Sequence, residues 1–391
     1  MSLTQCAACA TELGLTLGKK CDRCSTRYCG PECQVQHWKE GGHDQLCKKI
    51  KRAGGAEQYN ANKKYAEAVT VAAEACADDT KGQTCYICTQ ALHWKTKEGL
   101  VRGCSCRGTA GFAHVSCLAE QAKILVAEAQ ENNLGDDALN ERFDRWNTCS
   151  LCEQRYHGVV RCALGWACWK TYAGGAEADG IRIMAMKQLG NGLDASNHHE
   201  EALSVAEAEL AMRRRLGDSE HNILATQTNL ACSYHALGRL EEALRTERDI
   251  YFGWLKHNGG EGNFALLAGN NYANSLNSLG RFEEARSLMR KIMPVAQRVL
   301  GESDATTLRI GYNYARALYI DPDAPLDALS EAVTRLENLE RTARRVLGGA
   351  HPLAVDFEDE LRNARAALAA REGDDVSYVC EGVAAMTPGG A

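Results

Sequence analysis

Leu237-Gly238-Arg239-Leu240-Glu241-Glu242-Ala243 recurs 42 residues later as Leu279-Gly280-Arg281-Phe282-Glu283-Glu284-Ala285, and Asn229, Asn271 and Asn313 keep the same step. A fixed period of this length marks an array of helical units, each burying its apolar face against the next. The chain also returns to Leu216-Gly217, Leu300-Gly301 and Leu347-Gly348; the longer last interval holds Asp321-Pro322-Asp323-Ala324-Pro325, which reads as an insertion. Ala, Leu, Glu and Arg at helical spacing run from Gly174-Gly175 to Arg371, enough for about four helix pairs and a capping helix from Pro352. Ala231, Ala273 and Ala315, with Ala243, Ala285 and Ala328, supply the small side chains that helices need where they touch. Asn271 and Asn274, like Asn313 and Arg316, lie three apart and so share a helix face.

Toward the N-terminus the composition changes. Of 19 cysteines, 17 lie at or before Cys168, several in Cys-x2-Cys pairs that read as metal sites more readily than as disulfides. The start, Met1 to Ala10, lacks a positive segment followed by an apolar one, so a reducing cytosolic or nuclear setting is expected. The most apolar stretch, Val159 to Ala173, is short and broken by Arg161 and Lys170, which excludes a membrane span. A formal charge of -6 with 25% charged residues gives no excess that would make nucleic acid the main partner. Between the cysteine-rich segments, Tyr59 to Ala77 reads as one connecting helix, with Tyr65, Val69 and Ala72 on one face.

The first cysteine-rich segment offers eight ligands in four pairs: Cys6 and Cys9, Cys21 and Cys24, Cys29 and Cys33, His43 and Cys47. Eight soft or borderline donors suffice for two tetrahedral zinc ions, and metal would replace a core that residues 1–52 are too poor in apolar side chains to build. The order of pairs, with Tyr28 before Cys29 and His37-Trp38 after Cys33, resembles the MYND zinc finger. The resemblance implies that Cys6, Cys9, Cys29 and Cys33 hold one ion and Cys21, Cys24, His43 and Cys47 the other, leaving His37 out. It also implies peptide binding, with Gln34 and Trp38 at groove-lining positions; Trp38 as plain packing is the alternative. Lys48-Lys49-Ile50-Lys51-Arg52 reads as a solvated helix face.

The second segment supplies Cys85 and Cys88, Cys104 and Cys106, His114 and Cys117, Cys149 and Cys152. Its Cys-x-Cys-x7-His-x2-Cys centre resembles the RING-CH finger. Cross-bracing of that kind implies Cys85, Cys88, His114 and Cys117 on one ion and Cys104, Cys106, Cys149 and Cys152 on the other, four Zn2+ per chain in all. The gap from Cys117 to Cys149 holds 31 residues, long for the family, and Leu118 to Asn132 within it reads as a helix. Where family members carry a tryptophan that touches the ubiquitin-conjugating enzyme, this chain has Gln121; Trp146 is either a surrogate or core. Ile87, inside the first Cys pair, matches an apolar residue that contacts the same enzyme.

The repeats resemble tetratricopeptide repeats of the kinesin-light-chain kind, which present a concave face to peptides. Asn229, Asn271, Asn274, Asn313 and Arg316 are then expected to hydrogen-bond a peptide backbone, or else to tie neighbouring helices together. The expected organisation is multidomain: two small cross-braced zinc modules followed by an all-α tetratricopeptide-like solenoid. Its segments are a MYND-type finger (1–52), a helical linker (53–80), a RING-CH-type finger with a flanking helix (81–175), repeats (176–371) and a disordered tail (372–391). The resemblances imply a RING-type ubiquitin ligase with no catalytic side chain of its own, partnered by a conjugating enzyme and by protein or peptide ligands of the MYND and repeat modules. The alternative is a non-enzymatic zinc and repeat adaptor. A methyltransferase is excluded because no segment remains for its catalytic domain, and no phosphate loop, His-Glu-x2-His motif or Gly-x-Ser-x-Gly elbow occurs. Cys76, Cys162, Cys168 and Cys232 are expected to be buried as small apolar side chains, Cys380 not.

Overall fold

The computed structural model describes residues 5–11, 13, 18–176, 179–347 and 352–385, without the side chains of residues 258, 347, 352 and 373–385. The chain forms two compact units, Met1–Leu237 and Gly238–Ala391. Small cysteine-rich modules come first and helical repeats follow.

In the first unit, β1 (Lys19–Lys20) and β2 (Arg27–Tyr28) pair antiparallel, Lys19 opposite Tyr28. Helix α1 (Pro31–Lys39) starts on a proline, whose missing N–H costs nothing in a first turn. Helix α2 (His43–Arg52) buries His43, Cys47 and Ile50 and leaves Lys48, Lys49, Lys51 and Arg52 in solvent. At Gly54 and Gly55, with φ of 97° and 110°, the chain turns into α3 (Ala56–Ala75), which buries Ala61, Val69 and Ala72. The long gap of the second module holds α4 (Val115–Glu131), α5 (Asp136–Phe143) and a single 3-10 turn, Asp144–Trp146.

The apolar stretch beyond the last cysteine pair is α6 (Gly158–Tyr172), buried from Cys162 to Trp169 as befits a helix apolar on all sides. It packs on α3 and α4 and, most extensively, on α7 (Gly180–Asp194). Two glycines permit the α6–α7 approach: a Cβ on Gly165 would meet the Gln188 carbonyl oxygen at 2.9 Å, and one on Gly192 the Arg161 carbonyl oxygen at 2.9 Å. One core therefore runs unbroken through Val69, Phe112, Trp146, Leu164, Trp169 and Met186, into α8 (His199–Leu216) at Met212. It crosses the expected boundaries at 80/81 and 175/176, because the linker helix and the first repeat helices cover faces that the second module cannot cover alone. Buried Arg182 on α7 adds a tie, its Nη2 lying 2.9 and 3.1 Å from the two carboxylate oxygens of Glu57 on α3. Helix α9 (Glu220–Ala236) completes the unit.

The second unit consists of α10 (Leu240–Asn258), α11 (Asn263–Ser278), α12 (Phe282–Leu300), α13 (Ala305–Tyr319), α14 (Leu326–Leu347) and α15 (Pro352–Ala385). The repeated heptapeptide is a helix-to-helix turn. Gly238 and Gly280 take φ of 71° and 72°, and the arginine after each pairs with the glutamate three residues on, Arg239 with Glu242 at 2.6 Å and Arg281 with Glu284 at 2.7 Å. Ala243 and Ala285, which end the motif, are fully buried, as are Ala273 and Ala315.

Two expectations are corrected. Helix α15 continues 14 residues past Arg371, to Ala385, where a disordered tail was expected; a helix already packed along α14 extends at little cost, nucleation having been met. Residues 386–391 lie outside the described ones. Cys162 and Cys168 are buried, but Cys76 is half-buried and Cys232 exposed, one position round α9 from buried Ala231; the side chain of Cys380 is not described. Among the described residues no helix is long and apolar enough to cross a membrane.

Glu247 of α10 is an exception inside the second unit. It is 5% exposed, its Oε2 has no hydrogen-bond partner, and burial pushes its carboxyl from the ordinary 4.5 up to about 7. The folded protein thus prefers the neutral acid, and stability is lost as pH rises from about 4.5 through 7. Glu247→Gln keeps the shape without the charge. It is expected to stabilise the protein by about 3 kcal/mol at pH 8 and by close to nothing below pH ~4.5 in urea titrations; equal gains at both pH values would refute the assignment.

Candidate metal centres and partner surface

Cys6, Cys21, Cys85 and Cys149 each open a turn of the same design. The N–H of each donates to the carbonyl five residues on, Thr11, Thr26, Gln90 and Gln154, at 2.8 to 3.0 Å. Each carbonyl accepts from the N–H four residues on, Ala10, Ser25, Thr89 and Glu153, and those four residues have φ of 58°, 62°, 61° and 55°. Such a knuckle brings the two sulfurs of a Cys-x2-Cys pair to one point and aims backbone N–H groups at them: Ile87 N and Cys88 N lie 3.4 and 3.5 Å from Cys85 Sγ, and Leu151 N lies 3.4 Å from Cys149 Sγ.

A fifth turn of this design has no cysteine and was missed from the sequence. His93 donates to Glu98 and accepts from Lys97, whose φ is 60°, and Thr96 stands where a second ligand would, its Oγ1 2.8 Å from His93 Nδ1. Glu98 then caps α4, accepting from Ser116 N at 2.7 Å and Ser116 Oγ at 2.8 Å.

The sixteen expected ligands converge in four groups: Cys6, Cys9, Cys29 and Cys33; Cys21, Cys24, His43 and Cys47; Cys85, Cys88, His114 and Cys117; Cys104, Cys106, Cys149 and Cys152. Within each group the donor atoms lie within 4.8 Å of one another. A tetrahedral ion with Zn–S of about 2.3 Å sets sulfurs roughly 3.8 Å apart. Cys21–Cys47 measures 3.9 Å and Cys106–Cys149 3.8 Å, with Cys9–Cys29 at 3.5 Å and Cys29–Cys33 at 3.3 Å. His43 presents Nε2, 3.4 Å from Cys24, whereas His114 presents Nδ1, 3.3 Å from Cys88 and 3.6 Å from Cys117.

Outer contacts set those rings. His114 Nε2 lies 3.4 Å from the Ala91 carbonyl oxygen, which fixes Nδ1 as the donor to metal. His43 stacks on His37 at 5.2 Å and meets the edges of Tyr28 and Trp38; His37 is a buttress held by the Tyr28 hydroxyl at 3.0 Å, outside the ligand set. Burial holds both ligand histidines below the ordinary imidazole range, so each is neutral with a lone pair available. Among the thiols, the Thr11 hydroxyl draws Cys9 down to about 6, while burial and then the charge of Cys85 push Cys117 up, and burial pushes Cys104 up. Thiols this close resist ionising together, and a divalent cation supplies the missing charge. Closed sets of three or four cysteines with at most one histidine fit Zn2+ in a structural role.

At the surface of the second module Ile87 is 37% and Leu151 51% exposed, each in the third place of its knuckle. The two knuckles are tied by a 3.1 Å hydrogen bond between Tyr86 and Ser150 hydroxyls. Leu151 escaped the sequence reading, although its place in Cys149-x2-Cys152 is the same as that of Ile87. Gln121 is half-buried on α4, and Trp146 is core, 1% exposed against Tyr172.

Family models match in three places: a MYND finger over residues 6–47, a RING-variant domain over 85–152 and tetratricopeptide repeats over 223–249 and 266–306. The chain carries a MYND finger, a RING-variant domain and tetratricopeptide repeats. No curated protein matches it. Solved structures that resemble it include a Podosopora anserina protein with nearly identical kinesin-light-chain TPR-like repeats, at 21% identity over 59% of this chain and 97% of that one, TM-score 0.39. Another is BtubC (BKLC) from P. vanneervenii, at 16% identity over 65% of this chain and 92% of that one, TM-score 0.36.

In the MYND finger, Gln34 is half-buried and Trp38 is 40% exposed with its edge on His43, so Trp38 both buttresses a ligand and reaches solvent. In the tetratricopeptide repeats of the second unit, Asn271, Asn274, Asn313 and Arg316 line one hollow of about 340 Å3 with Phe357 of α15. Asn313 is buried there, donating to Asn270 Oδ1 at 2.9 Å and accepting from Asn277 at its carbonyl at 3.2 Å. Arg316 lies 3.0 Å from Glu360, a carboxylate that also accepts from the Tyr312 and Tyr319 hydroxyls. Asn271 and Asn274 remain part-exposed. Asn229 belongs to α9 of the first unit.

Proposed function

We propose that this protein is a RING-type ubiquitin-protein ligase whose RING-variant domain holds a ubiquitin-loaded conjugating enzyme, with the MYND finger and tetratricopeptide repeats recruiting protein substrates. The observation that carries the reading is the pair of exposed apolar side chains, Ile87 and Leu151, each on a knuckle pinned between two metal ligands. Exposed apolar groups on rigid loops are what a partner surface requires. The reaction needs no nucleophile here: a substrate lysine amine attacks the thioester carbonyl, an isopeptide bond forms, and the conjugating enzyme's cysteine leaves as a thiol. The domain contributes orientation alone. Zinc supplies no chemistry beyond holding the loops. A cytosolic or nuclear setting, where thiols stay reduced, accords with cysteine-rich sites.

One observation favours the second reading, a non-enzymatic interaction adaptor. Gln121 replaces the aromatic contact expected on α4, and Trp146 is too deep in the core to stand in for it. Autoubiquitination with purified full-length protein and a panel of conjugating enzymes separates the two. Chain formation with at least one enzyme is the expected result; silence across the panel assigns the adaptor role.

A further inference from the structure

The insertion between Cys117 and Cys149 does more than lengthen the RING-variant domain. Helix α5, the 3-10 turn after it and the start of α6 form one side of a groove of about 1100 Å3, and α7 with the end of α8 and α9 forms the other. Its lining is polar and unevenly satisfied. Three of its four acids are engaged locally: Asp179 accepts from Ile181 N at 3.0 Å, Asp144 from Asn147 at 3.4 Å, and Asp218 pairs with Arg213 at 2.5 Å. The cations other than Arg213 are not. Among the described residues no hydrogen bond or ion pair engages the side chains of Arg155, Arg161 and Lys187, and Arg161 Nε is buried with no partner at all. Gln188 and Asn191 of α7 face the same space with their amides unpaired.

A buried guanidinium nitrogen without an acceptor is costly, and charge-assisted hydrogen bonds are the strongest remedy. Burial and then the nearby charge of Arg155, partly offset by Asp194, hold the Arg161 guanidinium below its ordinary range, a cost of keeping it charged that an incoming anion would offset. We propose that this groove binds an extended peptide bearing acidic side chains, with Arg161, Arg155 and Lys187 taking the carboxylates and Gln188, Asn191 and Asn229 taking the peptide backbone. A polyanion fits less well: Asp136, Asp144, Asp179 and Asp218 stand in the same groove and would repel a continuous phosphate chain, and only Phe143 brings an aromatic ring to it. The site is distinct from the hollow around Asn271 and Asn313. Binding stands apart from ligase activity; only its use in substrate delivery rests on the function proposed above.

The test is selection of a random phage-displayed peptide library on the zinc-loaded full-length protein, followed by fluorescence anisotropy with the winning peptide. Enrichment of Asp and Glu is expected, together with a loss of affinity of about tenfold or more in Arg161→Gln, with zinc content and circular dichroism unchanged. Lys187→Glu, at an exposed position, is expected to lose as much and keeps the test decisive if Arg161→Gln does not fold. Winning peptides without acidic enrichment, or affinity that Lys187→Glu leaves intact, would overturn the proposal. So would a single-stranded DNA probe that binds the groove more tightly than the peptide and is lost in the same variants.

Discussion

Arginine in place of Ile87 is expected to abolish ubiquitin chain formation while the protein keeps four zinc ions. The position separates the two properties. Ile87 is flanked by Cys88 and Tyr86, its N–H is committed to Cys85 Sγ, and its side chain is 37% exposed, so arginine leaves every ligand and the knuckle's hydrogen bonds in place. At an interface the same guanidinium would be stripped of water with no acceptor prepared for it, a cost on the order of several kcal/mol. Leu151→Arg, on the knuckle tied to the first through Tyr86 and Ser150, is expected to act alike. Chain formation would be followed by immunoblot, zinc by elemental analysis and folding by circular dichroism. Wild-type chain formation by a folded Ile87→Arg protein would remove this surface from the mechanism.

The second large effect is thermodynamic. Cys149→Ser takes a buried ligand from a set that sits on the same core as Phe112, Trp146, Tyr156 and Val160, the core shared by α3, α6 and α7. Structural zinc binding contributes roughly 10 to 16 kcal/mol in small modules, comparable to the whole stability of a domain, about 5 to 15 kcal/mol. Loss of that ion is expected to lower the melting temperature of the whole first unit and to reduce its helical signal. Cys9→Ser is the contrast: Cys9 and Cys29 are exposed, and the small core around Tyr28, Cys47 and Ile50 is separate. Zinc should fall in this variant as well, with the helical signal largely kept. Equal loss of helix in the two variants would contradict the continuous core.

The ligands themselves were readable from their spacing, because two cysteines three apart can share an ion only through a tight turn; which pairs share an ion is what the resemblance to known cross-braced fingers implied, and the four clusters agree with it. The helical repeats were readable for the same reason, a period that survives substitution. What spacing cannot show is which face meets which. Nothing in Val159 to Ala173 says that its two sides are taken by a linker helix from before the module and a repeat helix from after it; Gly165 and Gly192 act only once α6 and α7 are opposed. The His93 turn is invisible because its second ligand place holds Thr96, although the backbone is the same. Asn313, which the resemblance to tetratricopeptide repeats directs toward a bound peptide, is instead absorbed into the interior by Asn270 and Asn277, the alternative of tying neighbouring helices.

The shared core also determines how the molecule can be divided. A fragment of residues 81–175, the span that the zinc ligands and their flanking helix suggest, would carry α6 stripped of α3 and α7, leaving Trp166 and Trp169 facing water where Gln58, Ala61 and Arg182 had been. Such a fragment would aggregate even with its zinc sites filled. The smallest piece able to stand alone begins at Ala56, ahead of α3, and ends no earlier than Leu216, behind α8, so any excision of the RING-variant domain must take the first repeat helices with it.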